Sequence, residues 1–317
     1  MVSSAKSSGL NSFRRTDHPG RAVSGRIHFY LWRCSVRNVH QNSPVTIPTY
    51  FRPMYRELKL RVSRVDRRTM TETELENLLA QLGIVPGATI FLHSSMDEIT
   101  RRVRRMTAPR LIQLLQDTLG QNGTLLVPTF PFVGKQYFYV QKNPKFDVRR
   151  TPSKVGLLTE VFRRLPSVVR SLHPTHPVAA WGRHAVELTS THHLGSTFGE
   201  TSPFYKIQNF GGRVIGLGTR IESYTILHVA DDLHRKRRSQ VFAEQHSTLL
   251  IDGDSQIHYQ LFPLRPDASR NLARVEKQLL RRGVLTYISA AGLKCATAGA
   301  ADFIRSSMQL AEEGIFL

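Results

Sequence analysis

The stretch ATIFLHSS, Ala88–Ser95, decides the fold class. It is a short apolar run that ends in polar residues, the pattern of a strand buried on both faces of a parallel sheet. GTLLVPTF, Gly123–Phe130, repeats the pattern after a helical segment over Ala108–Leu119 and a turn at Gln121-Asn122-Gly123. GGRVIGLGT, Gly211–Thr219, is a third buried strand with glycines at both ends. Upstream, TETELENLLAQLGI from Thr71 predicts a helix with a threonine cap and a glycine stop. Thr151–Arg164 predicts another capped helix, VVRS and PVAAWG two strands, and HAVELTS, SPFYKIQNF and YTILHVADDLHRKRR three helical segments. Residues 241–263 then alternate as antiparallel strands, STLLID and QIHYQLF around Gly253-Asp254. Basic Asp267–Arg282 and Ala300–Glu313 close the chain as helices. Strands alternating with helices predict an α/β fold with a mixed central sheet and a late antiparallel addition.

Composition narrows the function. The chain has 317 residues and a formal charge of +20, from 44 Lys and Arg against 24 Asp and Glu. Such a balance points to polyanionic partners or phosphorylated ligands. The excess is uneven, because residues 1–54 hold eight basic residues and one acid, Asp17. That segment is expected to be a basic, disordered extension, with 55–317 as one domain. IHFYLW, Ile27–Trp32, is too short to span a bilayer, so no membrane association is expected. Two cysteines, Cys34 and Cys295, argue against a disulfide framework or a cysteine-rich zinc site and for a reducing cytoplasm.

Four constellations carry chemistry. Ser94, Ser95 and Thr129 end two strands, where open α/β sheets bind ligands. Thr219 ends a third; ordinary capping accounts for such hydroxyls equally. Thr151-Pro152-Ser153-Lys154 opens the predicted helix and offers a phosphate site, or a plain cap. His173 and His176 in RSLHPTHPVAAWG, with His192-His193, lack the spacing and third ligand of a metal site, so no metal is expected. General base chemistry suits that stretch better, because imidazole takes a proton near neutral pH when a carboxylate orients it. TILHVADDLH supplies His228, Asp231, Asp232 and His234, with His228 and Asp231 on one helix face.

Together these pieces resemble the antibiotic N-acetyltransferase family, the aminoglycoside 3-N-acetyltransferases. The matching segments are LHSSM at 92–96, GTLLVPTF at 123–130, TPSKVG at 151–156, RSLHP at 170–174, VAAWG at 178–182, FGETSPF at 198–204, GRVIGLG at 212–218 and TILHVAD at 225–231. The resemblance implies a three-layer α/β/α fold, distinct from the GNAT acetyltransferases. It also implies direct acetyl transfer from acetyl-CoA to an amine of an aminoglycoside or other amino sugar. It places the general base on His173 and its carboxylate on Asp231, where the family usually has Glu. Ser94, Ser95, Thr129, Thr151 and Ser153 would then line the CoA site, with Glu200 and His176 contacting substrate. The expected partner is a small-molecule amine rather than nucleic acid, with a homodimer left open. ITRRVRRMTAPR, Ile99–Arg110, stands where the family has a Gly-Gly loop. The alternatives are a family member that has lost catalysis and kept binding, and a basic nucleic-acid-binding protein.

Overall fold

The computed structural model describes residues 69–235, 239–268 and 271–315. The basic segment 1–54 and residues 55–68 of the expected domain lie outside these. In chain order the strands are β1 Thr89–Ser94, β2 Thr124–Pro128, β3 Lys145–Asp147, β4 Val169–Arg170, β5 Val178–Gly182, β6 Arg213–Leu217, β7 His246–Asp252, β8 Ser255–Leu261, β9 Thr286–Ala290 and β10 Leu293–Gly299. Seven of them form one sheet in the order β4-β5-β2-β1-β6-β10-β9. The three strands that motivated the α/β reading are its parallel centre, β1 pairing with β2 and with β6. Antiparallel β5 and β10 flank that centre.

Alternation along these strands builds the layers, since successive side chains point to opposite faces. Phe91, Leu126, Val214 and Ala296 enter one apolar cluster. Their neighbours Ile90, Leu125, Ile215 and Cys295 enter another. Helices Glu72–Gln81 and Ala108–Leu119 cover the second face with Leu75, Leu79, Leu111 and Leu115. Helices Leu272–Arg281 and Ala300–Glu312 cover the first with Val275, Leu279, Phe303 and Leu310. The first described helix starts at the expected threonine cap, Thr71, which Glu74 completes as a reciprocal capping box. Among the described residues no helix is long and apolar enough to cross a membrane.

The hairpin expected over 241–263 forms as β7–β8 and pairs with β3 in a separate three-stranded sheet. The antiparallel addition to the central sheet is β9–β10, whose segments TYISA and LKCATAG carry too little apolar contrast to stand out. The helix predicted from Thr151 starts at Leu157, capped by Gly156. Lys154 N–H bonds to the Phe130 carbonyl at 2.7 Å and holds the preceding segment extended beside the end of β2.

The carboxyl ends of β1, β2 and β6 open on one edge of the sheet, where α/β ligand sites form. Gly182 closes β5 at φ +102°, and a Cβ there would lie 2.1 Å from the Gly123 carbonyl oxygen. Gly182→Ala should therefore lower unfolding free energy by about 2–4 kcal/mol, combining left-handed strain and a backbone clash. Urea unfolding of the two proteins checks this, and a change under about 0.5 kcal/mol would contradict the close approach.

Candidate active site

A cavity of about 510 Å³ opens beside the turn between β4 and β5. Its wall includes Phe132, Gln136, His176, Glu222, Tyr224 and His228. Each comes from a segment that leaves the sheet. His176 lies on the Pro-broken turn that enters β5, and His228 begins the helix His228–Leu233 after β6. Gln136 starts the helix Gln136–Lys142.

The two histidines of the turn have different fates. His173 is fully buried. Its Nδ1 accepts the backbone N–H groups of Thr175 at 3.3 Å and His176 at 3.0 Å. A neutral imidazole has one basic lone pair, and these amides occupy it. The proton is then on Nε2, which lies 3.2 Å from the Tyr259 hydroxyl; that hydroxyl donates to the Gly195 carbonyl. His192 stacks on His173 at 4.3 Å. Its Nε2–H donates to the Thr197 carbonyl at 2.9 Å and its Nδ1 accepts from the Ser171 hydroxyl at 2.8 Å. His173 therefore organises the turn, and the expected His173–Asp231 pair does not form.

Asp231 pairs instead with His228, Oδ2 to Nδ1 at 3.1 Å. The two sit three residues apart on one helix face, so the local contact forms without any chain reversal. Asp231 has no exposed surface, whereas the His228 side chain is 23% exposed and lines the cavity. With Nδ1–H donating to the carboxylate, Nε2 is the basic nitrogen of the His228 ring. His176 has the complementary tautomer. Gln136 Oε1 accepts from Leu264 N–H and its Nε2 donates to the Thr175 hydroxyl at 2.9 Å. Buried Thr175 must then place its own proton on His176 Nδ1, 3.0 Å away, leaving Nε2–H of His176 as a donor. Burial, reinforced by the neighbouring His228 and His192, holds the His176 pKa well below its ordinary value, so the ring stays neutral.

Phe198 spaces the two rings, its centroid 4.8 Å from His176 and 5.1 Å from His228. Asp232 fixes that phenyl by accepting the Phe198 N–H at 2.7 Å. Phe198, Gln136 and Glu222 were not singled out by sequence for these roles. Only the helix spacing of His228 and Asp231 signalled the dyad.

The residues expected to hold CoA are largely engaged within the protein. Thr129 is buried, donating to the Pro177 carbonyl and accepting from Arg170 Nε. Thr151 Oγ1 accepts the Asp147 N–H, and Ser153 Oγ lies 2.8 Å from Thr159 Oγ1. Ser95 caps the helix Met96–Arg102. Ser94, at the end of β1, remains partly exposed. Glu200 is exposed and is not among the residues of the cavity wall, where Glu222 supplies the carboxylate. Among the described residues no group of three or more His, Cys, Asp or Glu side chains is arranged to hold a metal ion.

Burial depresses the His93 and His192 pKa values to about 3, from an ordinary 6.5. His173 and His176 shift in the same direction. The unfolded chain binds these protons below pH 6.5 and the folded chain does not, so stability falls as pH drops from 6.5 towards 3. Each of His93 and His192 should contribute about 2 kcal/mol of that loss by pH 5. Urea unfolding at pH 7.5 and pH 5 measures it, and pH-independent stability over that interval would contradict neutral burial.

Comparison with known proteins identifies the family and the fold. The family described as aminoglycoside 3-N-acetyltransferase matches residues 91–312. Aminoglycoside N(3)-acetyltransferase VII of Streptomyces paromomycinus is 30% identical over 198 residues, covering 58% of this chain and 68% of that protein. Aminoglycoside N(3)-acetyltransferase III of Pseudomonas aeruginosa is 32% identical over 185 residues, covering 54% of this chain and 67% of that protein. The aminoglycoside N(3')-acetyltransferase-like YokD protein of Bacillus subtilis is 29% identical, with 64% of its length matched. The chain thus spans about two thirds of the length of these relatives. The crystal structure of aminoglycoside acetyltransferase AAC(3)-Xa shares the fold, with TM-score 0.65 at 23% identity over 82% of this chain and 99% of that one. So does AAC-IIIb in its binary complex with CoASH, with TM-score 0.63 at 21% identity over 78% and 98%. The extent of the family match and these relatives place the chain in the aminoglycoside 3-N-acetyltransferase family.

Proposed function

We propose that this protein transfers the acetyl group of acetyl-CoA to an amino group of an aminoglycoside or other amino sugar, with His228 as general base and Asp231 as its orienting carboxylate. The observation that carries this reading is the buried Asp231 carboxylate bonded to His228 Nδ1 at the wall of a cavity faced by His176. A carboxylate on Nδ1 fixes the tautomer and stabilises the imidazolium that forms when Nε2 takes a proton. Replacement of the family's usual Glu by Asp is consistent with function, because Asp231 reaches His228 within the same helix. The names of the relatives support the substrate class, and the CoASH complex of AAC-IIIb supports the donor.

The reaction follows from the two tautomers. The neutral amine attacks the thioester carbonyl carbon as His228 Nε2 takes its proton. The carbonyl oxygen becomes an oxyanion and accepts the His176 Nε2–H. Collapse of the tetrahedral intermediate breaks the C–S bond, and the departing thiolate receives the proton from His228. The products are the N-acetyl amine and CoA thiol. Glu222 is the carboxylate of the cavity wall available to a second ammonium of the acceptor. The pantetheine arm would approach over the loops 130–134 and 153–157, which carry exposed Val133 and Leu157 and the exposed Lys154.

Kinetics of acetyl-CoA with a panel of aminoglycosides and simpler amino sugars tests the assignment. His228→Ala should lower kcat by about 10²–10⁴-fold, and Asp231→Asn by a comparable factor that Asp231→Glu restores in part. His176→Ala should lower kcat by about 10²-fold. Near-normal turnover by folded His228→Ala would remove it as the base. His173→Ala is expected to act first on stability, through two orphaned backbone amides costing about 1–3 kcal/mol each. A fully stable His173→Ala protein without turnover would return the base to that position.

A further inference from the structure

The wall of the catalytic cavity is short of negative charge. Among the described residues that line it, Glu222 is the one carboxylate, against Lys135 and Arg265. Arg265 is matched by Asp267, to which its Nε and Nη2 donate at 3.1 and 3.2 Å. Lys135 is exposed at the same wall, so Glu222 faces one cation already. An acceptor with several ammonium groups would find a single complementary carboxylate there. Its other charges would enter beside Lys135 without a counter-charge, which lowers both encounter rate and affinity.

Apolar side chains supply an independent sign. Leu264, Ala268 and Leu272 line the same cavity, and all three are partly exposed. They follow β8 and lead into the helix Leu272–Arg281, away in sequence from the 130–134 loop assigned to the pantetheine arm. Both ends of the strip are fixed. Leu264 N–H donates to Gln136 Oε1 at 3.1 Å, and the same amide bonds Thr175 beside His176. Asn271 caps the helix through Arg274 N–H at 3.1 Å and so holds Leu272 at its first position. Leu264 and Leu272 pack on the apolar cluster that contains Ile221 and Leu227, which line the cavity as well. Aliphatic surface left partly wet inside a concave site is surface that a ligand can remove from water.

We infer that the acceptor is an amino sugar with an apolar substituent and at most one further ammonium, its substituent received by Leu264, Ala268 and Leu272. The inference rests on the acetyl-transfer reading and narrows its acceptor. His228 and the apolar strip share one cavity, so an amine presented to Nε2 brings its neighbouring groups against that strip. A molecule with amines and hydroxyls over its whole surface would desolvate polar groups there without replacing their hydrogen bonds.

Calorimetric titration of the methyl and phenyl glycosides of glucosamine into the full chain saturated with CoA tests the inference without turnover. The phenyl glycoside should bind about tenfold tighter or more. Leu264→Ser and Leu272→Ser should each reduce that ratio to about threefold or less, with CoA affinity unchanged. If neither leucine variant folds, Ala268→Asn takes their place with the same expected reduction. Failure of both glycosides to bind, equal affinities, or a ratio that the variants keep overturns the inference. So does a loss of CoA affinity in the variants with the ratio retained, which would assign the strip to the pantetheine arm. Acetyl transfer with a higher kcat/KM for a polycationic aminoglycoside than for the phenyl glycoside overturns the narrowing and leaves the acetyl-transfer reading intact. Absence of transfer to every amine tested removes that reading instead, whatever the glycosides bind.

Discussion

A carboxylate with no exposed surface needs a partner, and much of this active site follows from how Asp231 finds one. Full burial raises the cost of an unmatched charge to several kcal/mol. His228, one helical turn earlier, meets that need through Nδ1 at 3.1 Å. The pairing commits the ring's other nitrogen to the cavity. It also fixes the rotation of the helix His228–Leu233, which points Asp232 the other way, onto the Phe198 amide. Phe198 then packs against both cavity imidazoles, so one ion–imidazole contact is tied to the placement of two rings.

The turn preceding β5 solves a related problem with main-chain groups. Pro174 and Pro177 remove two backbone donors, and the amides of Thr175 and His176 would be orphaned in a buried turn. His173 Nδ1 accepts both. His173 thereby holds the turn together, and His176 is carried to the cavity wall. Gln136 and Thr175 set the tautomer of His176 through two directed bonds. The two rings thus hold opposite tautomers, with the basic nitrogen on Nε2 of His228 and the proton on Nε2 of His176.

Excess positive charge distributes in the same structural terms. Arg163 and Arg164 are absorbed by Glu160, whose pKa their bonds, with that of Ser153 N–H, lower to about 2 despite partial burial. Arg170 is locked between β2 and the 148–151 segment by four hydrogen bonds. Much of the basic surplus in this region therefore bonds to protein oxygens.

Sequence alone determined the α/β class, the parallel core and the family, because buried parallel strands read as uninterrupted apolar runs and the motifs keep their order. It also placed His228 and Asp231 on one helix face, since helical spacing is local. Tertiary structure decided which histidine faces the cavity. That choice depends on Tyr259, Gln136 and the turn amides, which lie far apart in sequence and meet only on folding. The same applies to the late strand β10, whose partner β6 lies about eighty residues earlier, and to the hydroxyls at Thr129, Thr151 and Ser153. Each looked free in sequence, and each is claimed by an oxygen or amide that only the folded chain brings within reach.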